Sequence, residues 1–495
     1  STKFSVGWST YDQSNDISFR INNVEEAAGL AVICSFPGCT FGISFFIPEL
    51  QRELNLTHTE ISAVWGGGVF LVAIVLPFVG RLVDWQGPWR VIFITSLPLA
   101  LACFGMSYVN SWWMLLLLIA ALRLFGIGLI YVAGVRAANH WFVKKRGRVS
   151  VVIIIMFYSM MALPAVVHYL IGAFGWRNTY RILAVFLLIG LIIVLLFIRD
   201  SPELYGMLPD GELPEDVSLP ELEQAESSKS KSSSSETITQ SNSIEMVVVS
   251  ADLEEETRGA VEVKQKRERE EEKKEEEKET KSQEFEMGTR EACKFPIFWV
   301  LAVNIFVVEL YWCAVQFNIL SLFGESSKHA KLRDSDVVII MVVLSVASGC
   351  SSVCSGVAIE WLRERRRVAN VPHRKGLMVL VSTQMMFTAI SCVLLIHVTD
   401  LVAAIVWSLL FSAMIGIQDV VMMVAFAEIF GKNKIGEIMG VITSVMTLAT
   451  TFGPVLGAVV MENNALEYFY YPIAVISLVM GALGLVVADP KVKDK

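Results

Sequence analysis

The chain is poor in charge. Asp, Glu, Lys and Arg make up 18% of its 495 residues, against about 25% in an average soluble domain. Cysteine is scarce too, with eight residues, none at a His/Cys spacing that would hold zinc. Cys34, Cys39, Cys103, Cys313, Cys350, Cys354 and Cys392 lie inside apolar runs, and Cys293 sits just before one. They read as small buried hydrophobes, which excludes a disulfide framework. No phosphate-cradling glycine loop or nucleophile–base pair stands out. An enzyme is therefore not expected, and neither is a cofactor, a metal or a nucleic-acid partner.

Apolar sequence takes the place of charge: 54% of residues are hydrophobic and the mean hydropathy is +0.55. It is gathered into runs near Ala27–Pro48, Ile61–Val79, Val91–Val109, Trp112–Ala138, Val149–Ala173, Tyr180–Ile198, Phe295–Phe323, Val337–Ile359, Leu377–His397, Leu401–Phe430, Ile438–Met461 and Tyr468–Val487. Each is close to the ~20 residues that cross a bilayer, and runs of this length can only span lipid as helices. The order is six runs, a long polar interruption, and six more. The expected divisions are a tail over 1–26, a six-helix bundle over 27–199, a low-complexity linker over 200–290, a second bundle over 291–488 and a tail over 489–495.

The net charge of −8 belongs to the linker. Residues 200–290 hold 26 acidic and 12 basic residues, which leaves 23 acidic and 29 basic for the rest. The linker opens with a serine run, Ser227–Ser235, and closes with a Glu/Lys tract; it lacks the apolar content to build a core. A solvated connection between the bundles is one reading, and a phosphorylated regulatory segment is the other.

Lys and Arg set orientation. Arg81/Arg90, Lys144–Arg146/Arg148, Arg363/Arg365–Arg367/Arg374/Lys375 and Lys432/Lys434 fall in alternate loops. Those loops are therefore expected to be cytoplasmic, with the linker and both termini. The host membrane is expected to be the plasma membrane or that of an organelle.

Gly80-Arg-Leu-Val-Asp84-Trp-Gln-Gly87-Pro-Trp-Arg90 joins the second and third runs. A turn this short can only return the chain to the membrane. Gly356-x-x-x-Glu360-Trp361 ends the eighth run in the same way, so the two halves read as a duplication. The first of these turns resembles the one that joins helices two and three of major facilitator superfamily transporters. Three further stretches are similar to the oxalate/formate antiporter and monocarboxylate-porter branch of that superfamily. They are Arg123-Leu-Phe-Gly126-Ile-Gly128-Leu-Ile-Tyr131-Val-Ala-Gly134, Arg199-Asp-Ser-Pro-Glu203, and Phe430–Gly436 followed by Gly453-Pro454. The resemblance covers the membrane part and omits the linker.

It implies an all-α membrane protein of twelve helices in two six-helix halves, embedded in lipid and working as a monomer. It also implies secondary transport of a small organic solute, monocarboxylate- or dicarboxylate-like, by alternating access with protons or in exchange. A conformational switch at Gly80, Asp84, Gly87, Arg90, Gly356 and Glu360 follows from the same likeness.

A charge in mid-membrane costs about 2.5–3.5 kcal/mol on insertion scales and marks a functional candidate. Arg123, Glu309 and Asp419 are such charges. Gln316, Gln418, Asn304 and His168 are candidate polar partners, and Tyr131 shares the Arg123 motif. Against each stands a structural reading, an ion pair or a neutral buried acid. Gly453-Pro454 interrupts the hydrogen-bond ladder of the eleventh helix and is expected either to flex or to pack.

The chain departs from the branch in one respect. Val337–Ile359 and Ile438–Met461 contain no Lys or Arg, where an anion carrier is expected to hold its substrate. An amine, a zwitterion or a neutral metabolite therefore stays open as the solute. A transporter-like sensor signalling through the linker is the alternative from another class.

Overall fold

The computed structural model describes residues 23–142, 146–200, 289–325, 327, 329–369, 373–422, 426–430 and 435–486. Of the expected linker and tails, residues 201–288, 1–22 and 487–495 lie outside the described residues, while 23–26 already belong to the first helix. All regular elements among the described residues are helices, and eleven of them are long and apolar enough to cross a membrane.

The first half begins with α1, residues 23–34. It continues through α2 (Ile47–Leu54), α3 (His58–Gln86), α4 (Pro88–Met106), α5 (Trp112–Leu122), α6 (Val132–Trp141), α7 (Arg146–Met160), α8 (Leu163–Phe174) and α9 (Trp176–Phe197). The second half holds α10 (Thr289–Ala292), α11 (Pro296–Phe323), α12 (Asp334–Ala369), α13 (His373–Ile396), α14 (Leu401–Val420), α15 (Phe426–Phe430), α16 (Ile435–Glu462) and α17 (Glu467–Val486). The end at which α3 starts and α11 and α16 finish is called the upper end.

Four of the expected spans are not single plain α-helices; Val149–Ala173 is divided between α7 and α8, and Leu401–Phe430 between α14 and α15. The run Ala27–Pro48 breaks after residue 34 into three 3₁₀ turns, Phe36–Gly38, Thr40–Gly42 and Ser44–Phe46, before α2 begins. Pro37, Gly38, Gly42 and Pro48 explain the break: proline removes ladder donors and glycine costs a helix entropy. The fourth run is interrupted by a π-helical stretch, Arg123–Tyr131, between α5 and α6. The two irregular segments face each other. A Cβ at Gly38 would stand 2.5 Å from the carbonyl oxygen of Leu122, and one at Gly126 would stand 3.1 Å from that of Ser35. Small residues let two backbones meet where neither could run as an ordinary side-chain-covered helix.

Within the second half, α11 and α16 run side by side. A Cβ at Gly453 would lie 2.7 Å from Leu310 O, and one at Gly457 would lie 2.5 Å from Asn318 Nδ2. The two halves meet where α3 packs against α16 and α7 against α12. The outward faces are apolar: Phe78 is 63% exposed, Phe186 65% and Val402 69%. A soluble monomer does not carry a belt of this extent, whereas lipid covers it at no cost.

Candidate functional site

Arg123 starts the π-helical stretch, and its Nη1 donates to the carbonyl oxygen of Gly38 at 3.1 Å. The broken first run thus supplies a backbone acceptor to a mid-membrane cation. Across the seam, Glu309 of α11 accepts from Thr450 Oγ1 of α16 at 3.3 Å and from Cys313 Sγ at 3.4 Å. Glu309 lies within electrostatic range of both Arg123 and Asp419. Gln316 shares the helix face of Glu309 and Cys313, and both of its amide atoms are buried without a partner among the described residues.

Asp419 of α14 accepts from the hydroxyl of Tyr158 on α7 and from Ser352 Oγ of α12 at 3.2 Å. Ser345 Oγ of α12 donates to the backbone oxygen of Tyr158 at 2.6 Å. Tyr158 is thereby bound to the opposite half at two points. Tyr131 lies within electrostatic range of Asp419 and packs on Phe157 with ring centroids 6.0 Å apart. The structure therefore brings Arg123, Tyr131, Glu309 and Asp419 into one polar cluster between the halves.

Three other candidates lie elsewhere. Asn304 Nδ2 donates to Gln384 Oε1 at 3.3 Å, and Gln384 donates in turn to Gln418 Oε1. This amide chain links α11, α13 and α14 inside the second half. His168 sits at the upper mouth, edge-on to Phe45 at 5.5 Å. There it lines a cavity of about 630 Å³ with Glu49, Arg52, His58, His329 and Glu462.

The turn between α3 and α4 is built around Gly87, whose φ of 83° favours glycine. Asp200 Oδ1 accepts from the backbone N–H of Trp89 at 2.7 Å, capping α4 from the end of α9. Trp89 Nε1 donates to Leu195 O at 3.0 Å. Arg90 is exposed, and no described residue lies within 4 Å of a Cβ at Gly356. Gly80 and Asp84 lie in α3 and Glu360 in α12, and the side-chain surroundings expected to switch there are outside what the structure describes. Gly453 and Pro454 lie inside the unbroken helix α16, with Gly453 packed closely on α11.

Sequence reasoning missed Tyr158, Ser352, Thr450, Gln384 and the carbonyl of Gly38. A lone tyrosine or serine in an apolar run looks like core. Only Pro37-Gly38 carried a local signal, as a turn-forming dipeptide.

The polar cluster sits in a two-part bundle of apolar helices, which defines an integral multi-pass membrane protein. The chain matches the Major Facilitator Superfamily over residues 29–387 and belongs to it. It is 29% identical over 182 residues to "Multidrug resistance protein MdtG" of Dickeya zeae, covering 34% of this chain and 43% of that protein. It is 26% identical over 179 residues to "Probable sulfoacetate transporter SauU" of Cupriavidus necator, covering 35% of this chain and 40% of that protein. The chain thus spans less than half the length of these relatives. The family and the transport names of these relatives point to a transporter rather than an enzyme.

Proposed function

We propose that the chain is a secondary active carrier that moves a small organic solute by alternating access, coupled to protons or running as an exchanger. The carrying observation is the cluster of Arg123, Glu309 and Asp419, drawn from both halves and half-buried at a depth where a charge is expensive. A guanidinium and a second carboxylate, both within electrostatic range of Glu309, suit a solute with both an anionic and a cationic group. The amide of Gln316 offers it a further donor and acceptor. A plain monocarboxylate or dicarboxylate is the second reading, favoured by the branch resemblance and by the sulfoacetate name of one relative. The upper end faces outward in this reading, and the termini and linker face the cytoplasm.

Uptake into proteoliposomes tests the proposal, with labelled carboxylates, amino acids and amines offered under an imposed pH gradient. If Glu309 carries the coupling proton, Glu309→Gln abolishes accumulation and spares exchange of labelled for unlabelled solute. If Glu309 binds a cationic group, the same change abolishes both. Saturable binding without flux would mark a sensor and overturn the carrier reading.

A further inference from the structure

The upper end of the seam is held by side chains that the central cluster does not use. Asn318 Nδ2 donates to Ala314 O at 2.7 Å and to Pro454 O at 3.2 Å. Its oxygen is therefore the atom left to accept, and it lies 2.6 Å from His58 Nε2. This geometry puts the imidazole proton on Nε2, so His58 donates from α3 to α11. One residue on, the Thr59 backbone N–H donates to Glu462 Oε1 at 2.9 Å and its hydroxyl donates to Oε2 at 2.6 Å. The first N–H groups of a helix have no partner within it, and the N-terminal dipole favours a carboxylate. Glu462 of α16 therefore caps α3 from the other half of the molecule.

Beneath these ties, Trp65 of α3 packs on Phe317 of α11 with centroids 5.5 Å apart. A Cβ at Gly66 would stand 2.8 Å from Thr451 O of α16. Above them lies the upper cavity, which His58 and Glu462 line. The ties thus close the seam between that cavity and the central cluster.

We propose that His58–Asn318 and Glu462–Thr59 form a latch that holds this end of the two halves together and opens once in each transport cycle. The proposal rests on the reading that the halves move. The latch joins helix ends, where a rocking motion separates the halves most, and water can replace each of its bonds once they part. A few such bonds bias the closed state without making it permanent.

Distances between spin labels at Asn110→Cys and Glu467→Cys test it. Both positions are exposed, one in each half. Cys293, Cys350 and Cys354 are replaced by alanine, and the protein is held without solute in lipid nanodiscs. Glu462→Gln keeps the side-chain shape, and His58→Phe keeps an aromatic ring. Each is expected to raise the long-distance population several-fold, and the pair about tenfold. Thr59→Val, which removes the hydroxyl bond alone, gives a smaller rise and serves if the other variants fold poorly. Gly66→Leu, a wedge against α16, separates the two ideas. If Gly66→Leu lengthens the distance and the latch variants match the starting protein, the halves move and the latch is refuted. If Gly66→Leu also changes nothing, the moving-halves reading fails and takes the latch with it.

Discussion

Replacing Gly38 by alanine puts a methyl group where the backbone of another segment already stands. Its carbon would lie 2.5 Å from the Leu122 carbonyl oxygen, whereas ordinary contact begins at 3.4 Å. Neither partner is a side chain that can rotate away, so the two backbones must part by roughly 1 Å, at an overpacking cost of about 1–3 kcal/mol. The same shift stretches the 3.1 Å bond from Arg123 to the Gly38 carbonyl beyond hydrogen-bond range. A bond from a charged donor contributes about 1.5–3 kcal/mol. Together the loss is roughly 2.5–6 kcal/mol, with Arg123 released from its place beside Glu309. Thermal unfolding in lipid nanodiscs reads the first effect and solute uptake the second. Gly172→Ala is the control, because no heavy atom lies within 4 Å of a Cβ there. Alanine in that helix is expected to be neutral or to stabilise by up to about 1 kcal/mol. Equal melting of the two variants, with transport intact, would refute the backbone-to-backbone account.

The bond from Tyr158 to Asp419 is expected to appear in a double-mutant cycle. Tyr158→Phe and Asp419→Asn should couple by about 1–3 kcal/mol in unfolding free energy, and simple additivity would remove this tie between the halves. Asp200→Ala should loosen the start of α4 by about 0.5–2 kcal/mol, the usual worth of an N-terminal cap. Faster amide exchange at Trp89 reads the loss, and an unchanged rate counts against the cap. Replacing 215–285 by a short polar linker should leave transport largely intact. Loss of correctly folded protein on that deletion would sink the linker reading.

The bilayer makes much of this protein legible from sequence. A span must satisfy its own backbone and cover itself with apolar side chains, so twelve crossings were read from run length, and eleven long apolar helices stand among the described residues. The mid-membrane charges Arg123, Glu309 and Asp419 stood out for the same reason: lipid makes every buried charge conspicuous. The turn at Gly87 was equally visible, because its chemistry is local.

Tertiary structure decided the rest. Hydropathy counts side chains and is blind to backbone trajectory, so Ala27–Pro48 and Trp112–Ala138 looked like plain helices. One is broken into 3₁₀ turns and the other passes through a π-helical stretch, because Gly38 and Gly126 let their backbones touch. The polar partners were hidden too. Glu309 meets Thr450 across 141 positions of chain, and Tyr158 meets Asp419 across 261. Asn304 and Gln418 turned away from the cluster toward Gln384, since each step along a helix turns about 100°, and Gln418 is one step from Asp419 while Asn304 is five from Glu309. Composition determined that this chain lives in a membrane and which charges it buries there. Which of them face one another was settled only when the helices packed, because a helix face has no partner until another helix supplies one.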